Sequence, residues 1–171
     1  MWLIYIPWHF PLQFDESITG ASEKAETAFQ KQYPAVYQHM LEYKEPLSKR
    51  NKAETGIRYE WYAMQRWGAK YWEDFSKPKI MYPNMTKYIP FYFDEKNFLQ
   101  NDKSFMITGK HIAYLTAFLN SSIFKFCFLD KFPELQGGTR ELRKIFFDKI
   151  PVLEISDEEN IKFQSLITEI Q

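Results

Sequence analysis

The chain of 171 residues has one cysteine, three histidines, six glycines and no net charge, and each scarcity removes a class of function. A single thiol, Cys127, allows no internal disulfide, and the cytoplasm is the expected compartment. Cys127 lies in the apolar run "SSIFKFCFLDKF", flanked by Lys125 and Lys131, which is the setting of a buried spectator thiol rather than a nucleophile. His9, His39 and His111 are scattered, without a cysteine or acidic partner at metal-ligand spacing, so each is expected at the surface or as a cap. The one glycine pair, Gly137-Gly138, does not make a phosphate-binding glycine loop, and no Gly-x-Ser-x-Gly elbow is present. "EYK" at 42–44 and "DEK" at 94–96 are neighbourhoods that arise by chance in a chain that is 26% charged, and they do not define a nuclease metal centre. No hydrophobic run is long enough to span a bilayer, and no membrane partner is expected. The opening "MWLIYIPWHFPL" carries two prolines and lacks a basic leader and a small-residue cleavage site, so it reads as a strand entering a core.

What the chain does have is apolar and aromatic mass. Hydrophobic residues make up 45% and aromatics 19%, with 16 Phe, 11 Tyr and 5 Trp, which is incompatible with a disordered chain. The length fits one domain over 1–171, large enough to bury a core without disulfides. The zero net charge also hides an asymmetry. Residues 44–87 hold ten Lys or Arg against five Asp or Glu, whereas 154–171 hold one Lys against five acids. Local charge governs attraction to a polyanion, so a basic, aromatic middle followed by an acidic tail is the first functional signal.

Along the chain, Ser22 is placed to cap a helix over "SEKAETAFQKQ", and Pro34 starts a second helical run, "YPAVYQHMLEYKEPLSKR". The segment "IRYEWYAMQRWGAKYWEDF" fits no single period. "KPKIMYP" reads as a short proline-bounded strand, with two more strands at "IPFYFDE" and "SFMIT". "GKHIAYLTAFLNSS" aligns Ile112, Leu115 and Leu119 on one helical face, ended by the Asn120-Ser121-Ser122 cluster, and "PELQGGTRELRK" is a loop. In the tail, Ser156 caps a helix whose Phe163, Leu166, Ile167 and Ile170 form an apolar stripe. Strands and helices mix without a regular βαβ alternation. The expected class is therefore α+β: a mixed, largely antiparallel twisted sheet with packed helices in a single domain, with a core over about 1–153 and a C-terminal amphipathic helix over about 157–170.

One constellation remains, a basic segment interleaved with aromatics: Lys49, Arg50, Lys52, Arg58, Tyr59, Trp61, Tyr62, Arg66, Trp67, Lys70, Tyr71, Trp72, Lys77 and Lys79. Nucleic-acid sites need cations for phosphate oxygens, forked guanidiniums for guanine edges and flat side chains for stacking. The same composition also describes a core with a solvated rim. The order of blocks separates the two. "YPAVYQHMLEYKEPLSKR", "TGIRYEWYAMQRW", "FSKPKIMYPNM", "IAYLTAFLNS" and "GGTRELRKIFFDKIPV", in that order, closely resemble the C-terminal specificity region of adenine-specific DNA methyltransferases of the TaqI type. Fused restriction-modification enzymes of type IIG belong to this group, and the likeness covers roughly 1–153.

The resemblance implies a target recognition domain, a fragment of a larger methyltransferase or restriction-modification protein that binds double-stranded DNA. Its partner would be an N-terminal methyltransferase domain, with or without a fused nuclease. That domain holds S-adenosylmethionine and the Asn-Pro-Pro-Tyr-type motif, which this sequence lacks, so no cofactor and no catalytic residue are expected in this chain. A clamp that reads bases beside a flipped adenine can be a separate module. Arg58 and Arg66 are candidates for base edges, Lys77, Lys79 and Lys87 for phosphates, and Asn84 and Thr86 for contacts beside the proline-bounded strand. Arg140, after the glycine pair, sits in a loop able to approach a phosphate. Lys77 and Lys79 are expected on the strand face opposite Ile80 and Tyr82, and the acidic tail is expected away from DNA, its stripe packed on this domain or on the catalytic one. Two alternatives stand beside this reading: a protein-interaction domain with an aromatic patch, and an adenine methyltransferase whose activity resides in the missing N-terminal part.

Overall fold

The computed structural model describes residues 3–20, 22–50, 60–65, 68 and 70–170. Where length alone points to one domain, contacts divide the chain into two compact units, 1–70 and 71–171.

The first unit is built on helices α1 (Glu23–Gln32), α2 (Pro34–Leu41) and α3 (Lys44–Ser48). Ser22 caps α1 as expected, its hydroxyl accepting from the Ala25 N–H at 3.2 Å, and Pro34 opens α2. The expected single run beyond Pro34 is instead two helices. Pro46 has no N–H for the carbonyl of Glu42, and its ring would collide with that carbonyl, so α2 cannot continue through it. The opening segment is not a strand: residues 3–7 have no regular structure and 8–11 form turns, because Pro7 and Pro11 punctuate them. Ile6 is nevertheless buried, and its carbonyl accepts from the Met64 N–H at 2.8 Å. Phe29 sits at the centre of this unit, with the rings of Phe10, Tyr37 and Tyr62 around it. His9, expected at the surface, is buried, with its Nδ1 at 2.9 Å from Glu60, which also accepts from the Ser22 N–H. That partner lies far along the chain, so local spacing could not reveal it.

The second unit holds an antiparallel sheet of order β3-β1-β4, formed by β1 (Lys79–Pro83), β3 (Tyr92–Asp94) and β4 (Ser104–Ile107). These are the three strands the sequence marks. Ile80 faces Phe93 on one neighbour and Ile107 on the other, and Tyr82 faces Phe105, so the central strand delivers its even positions to the core. Helices α4 (Ile112–Leu119) and α5 (Ser122–Lys131) cover that side and meet at 69° around Asn120-Ser121. Asn120 fixes the corner, donating to the carbonyls of Phe91 and Thr116, both at 2.9 Å. Helix α5 has no counterpart in the sequence reading, because aromatic and aliphatic residues occupy every side of it and no 3.6 period stands out. Its Phe124 and Phe128 enter the core, while Ile123, Phe126 and Leu129 are exposed and Cys127 is half-buried.

The tail forms α7 (Asp157–Ile170). Ser156 and Glu159 make a reciprocal cap, the hydroxyl accepting from the Glu159 N–H at 3.2 Å and the carboxylate from the Ser156 N–H at 2.9 Å. The helix packs on α4 through Phe163 against Tyr114 and through buried Ile167, while Leu166 and Ile170 stay exposed. Thus half of the expected stripe is spent within the chain itself. Among the described residues, no single helix is long and apolar enough to cross a membrane.

Candidate nucleic-acid interface

The sequence candidates from Asn84 onward converge on a second, two-stranded antiparallel sheet in the second unit. Strand β2 (Met85–Thr86) pairs with β5 (Arg140–Glu141), with Met85 opposite Glu141 and Thr86 opposite Arg140. The ribbon extends by one bond, the Leu142 N–H donating to the Asn84 carbonyl at 2.9 Å. On its other side Arg140 bridges to Glu134 across a tight loop closed by the Leu135 N–H on the Thr139 carbonyl at 2.7 Å. Gly137 and Gly138 turn this loop at φ 74° and 78°, a region where side chains are disfavoured.

Alternation along the ribbon decides which candidates face outward. Thr86, Arg140 and Leu142 point inward with Asn84, whereas Met85, Glu141, Lys87 and Arg143 point outward. Arg140 is therefore not a free phosphate ligand. It is buried, donating to the Phe132 carbonyl and to Glu134 at 3.0 Å with its guanidinium over the Phe128 ring, and so holds the glycine loop to α5. Thr86 is spent locally, its hydroxyl donating to the Tyr88 carbonyl at 2.8 Å and accepting from the Tyr88 N–H at 3.1 Å. Asn84 contributes its backbone to the ribbon. Lys87 is exposed, makes no ion pair among the described residues, and its stem passes over Gly138, where a Cβ would lie 3.7 Å from its Cε. Beside it Tyr88 is 74% exposed.

The two lysines at the start of β1, Lys77 just before it and Lys79 its first residue, part company. Lys77 is exposed and pairs with Asp74 at 2.6 Å; that carboxylate holds its ammonium pKa above the ordinary value. An exposed pair of this kind is weak enough to exchange partners. Lys79 is fully buried against Asp94, which faces it across the β1–β3 register, and donates to the Phe75 carbonyl at 2.8 Å. The expectation that Lys79 meets phosphate is corrected. At this end of β1 the second sheet face is covered by a short 3-10 helix, Trp72–Ser76, so alternation leads the side chain into protein instead of solvent. Arg58 and Arg66 lie outside the described residues. Elsewhere in the basic segment, Arg50 is spent on the carbonyls of Leu47, Trp61 and Ala63 at 2.7 to 2.9 Å, and burial lowers its pKa. Tyr62 is core, and Trp61 donates to Glu26 at 2.7 Å.

The sequence reading missed Met85, Tyr88, Glu141 and Arg143. Period-two alternation was the available signal, but it needs the pairing of residues 85–86 with 140–141, which is invisible locally. Between β4, α4 and α6 (Lys144–Phe147) lies an apolar cavity of about 600 Å³, lined by Tyr82, Phe105, Phe118 and Phe147 among others. Its charged lining groups among the described residues are Lys144 and Asp148, which pair with each other at 2.6 Å. Burial pushes the Tyr82 phenol up to about 12, so it stays neutral near pH 7. Among the described residues, no three acidic, histidine or cysteine side chains cluster to hold a metal.

The outward row of the ribbon thus carries Lys87 and Arg143 above an inward row that fixes it. A family model described as the TaqI-like C-terminal specificity domain matches residues 22–152, well over half of the chain, and the chain belongs to that family. Domains of this family serve DNA recognition in restriction-modification enzymes and are not their catalytic parts. No curated protein matches the chain.

Proposed function

We propose that this chain is the sequence-reading module of a restriction-modification N6-adenine DNA methyltransferase of the type IIG kind, and that it positions a separate catalytic domain on its target. Family membership over residues 22–152 is the observation that carries this reading. The catalytic domain would bring S-adenosylmethionine and the flipped-base pocket, and this chain the clamp on the neighbouring duplex. The ribbon supports the assignment, since a two-stranded β-ribbon fits the major groove and Lys87, exposed at its edge, is a cation that could meet a phosphate.

Titration of duplex DNA at several salt concentrations tests it. Affinity should fall linearly on logarithmic axes, with a slope of about 0.9 per phosphate neutralised. No binding at low salt, by the chain alone or joined to its catalytic domain, would sink the proposal. Methyl transfer by the 171-residue chain alone would overturn the division of labour. A protein-binding role is the second reading, favoured by the exposed Ile123, Phe126 and Leu129 on α5. Charge reversal at Lys77 and Lys87 would leave such binding intact while weakening DNA binding.

A further inference from the structure

We propose that Arg143, oriented by Glu141, reads a guanine edge in the major groove; the inference rests on the DNA-recognition reading above. Three observations converge on this residue. First, its backbone is extended, at φ −91° and ψ 148°, so the alternation of β5 carries through Leu142 to Arg143 before α6 begins. Leu142 is fully buried and tied to Asn84, which leaves Arg143 on the outer face beside Glu141, in the same row as Met85 and Lys87.

Second, Arg143 has donors to spare. Among the described arginines, Arg50 is consumed by three carbonyls and Arg140 by a carbonyl and a carboxylate. Arg143 has a side chain 61% exposed and touches one group, Glu141 Oε1, at 2.8 Å from one terminal nitrogen. A forked donor matches the paired O6 and N7 acceptors of guanine.

Third, the carboxylate decides between base and backbone. The guanidinium keeps its charge, but a phosphate that approached it would also approach the Glu141 carboxylate, 2.8 Å away, and be repelled by it. The neutral edge of a base meets no such penalty, and a carboxylate also accepts from the cytosine amino group of the same pair. Lys87, unpaired on the same face, is the complementary case, a phosphate contact without sequence information. Glu141 is the more buried of the two, its side chain 30% exposed, so it serves as a positioning residue that limits the rotamers of Arg143 before DNA arrives.

The test is selection by the chain from a pool of randomised duplexes, followed by titration of the selected duplex and of single-base variants. Arg143→Ala should reduce preference for guanine at one position by roughly 5- to 150-fold, the discrimination of a good bidentate pair. Replacing that guanine by 7-deazaguanine should weaken wild-type binding and leave the variant nearly unaffected. Arg143→Lys keeps the charge but loses the rigid fork, so it should weaken the preference less than Arg143→Ala does while keeping the salt slope. Lys87→Gln should lower the slope by about 0.9 and keep the preference. Preference unchanged in Arg143→Ala, or a loss of salt slope alone in that variant, would overturn the assignment while leaving DNA recognition standing. No duplex binding by the wild type at low salt would overturn both readings.

Discussion

Lys79 and Asp94 face one another across the β1–β3 register with both side chains closed to solvent. The ammonium also donates to the Phe75 carbonyl, and the carboxylate accepts from the N–H groups of Lys96 and Phe98, both at 2.9 Å. Such further hydrogen bonds are what make a buried charge pair tolerable. Removing one partner leaves the other charge stranded. Lys79→Ala and Asp94→Ala should therefore each cost about 3–5 kcal/mol in urea denaturation, whereas the joint replacement Lys79→Met with Asp94→Leu should cost less than the sum of the two single changes, because no charge is left stranded. Single variants as stable as the wild type would contradict the pairing.

Arg140 and Lys87 lie in one ribbon but should behave as opposites. Arg140→Gln should lower thermal stability, because it strips donors from the Phe132 carbonyl and from Glu134, and should leave the salt slope of DNA binding unchanged. Lys87→Gln should do the reverse. A salt slope that drops on substitution of Arg140 would return that residue to the phosphate role.

Phe124 anchors the aromatic core of the second unit, with Phe91, Phe118, Phe128, Phe132 and Phe147 within ring contact. Phe124→Ala should cost about 3–5 kcal/mol in denaturant titration, the range for deleting a buried ring. Its neighbour Phe126, exposed on the same helix, should tolerate Ala within about 0.5 kcal/mol.

Acid should loosen the C-terminal helix. The Ser156 N–H and hydroxyl hold the Glu159 carboxyl below its ordinary value. With the folded pKa depressed, the contribution is present above the unfolded value of 4.5 and is lost as pH falls below it. Protection of the first-turn amides of α7, corrected for intrinsic exchange, should fall as the pH drops below 4.5, and Glu159→Ala should show the lower protection already at pH 7 and vary less with pH. Equal exchange in both proteins across that range would remove the carboxylate from the cap.

The strands β1, β3 and β4 were legible because prolines bound the first of them and polar loops separate all three. Helices α1, α4 and α7 were legible through caps and spacing. Two failures, at Lys79 and His9, share one physical cause, dependence on distant partners. Lys79 reads as a surface cation until Asp94 is placed opposite it, and His9 until Glu60 is. Helix α5 is hidden for a different reason, since apolar residues on every side erase the period. At the candidate interface the sequence names Asn84, Thr86, Lys87 and Arg140, and the strand pairing puts the first two and Arg140 on the inward row and Lys87 on the outward one. A shift of one residue exchanges the two faces of a strand, so this parity was not legible locally.

The separation of faces on the β2–β5 ribbon has a practical consequence. Positions 85, 87, 141 and 143 project away from the structure that Thr86, Arg140 and Leu142 secure, so new letters can be written at them without rewriting the scaffold. A combinatorial library confined to these four codons, with 84, 86, 140 and 142 held fixed, should yield folded proteins at high frequency, because substitutions there leave the inward contacts in place.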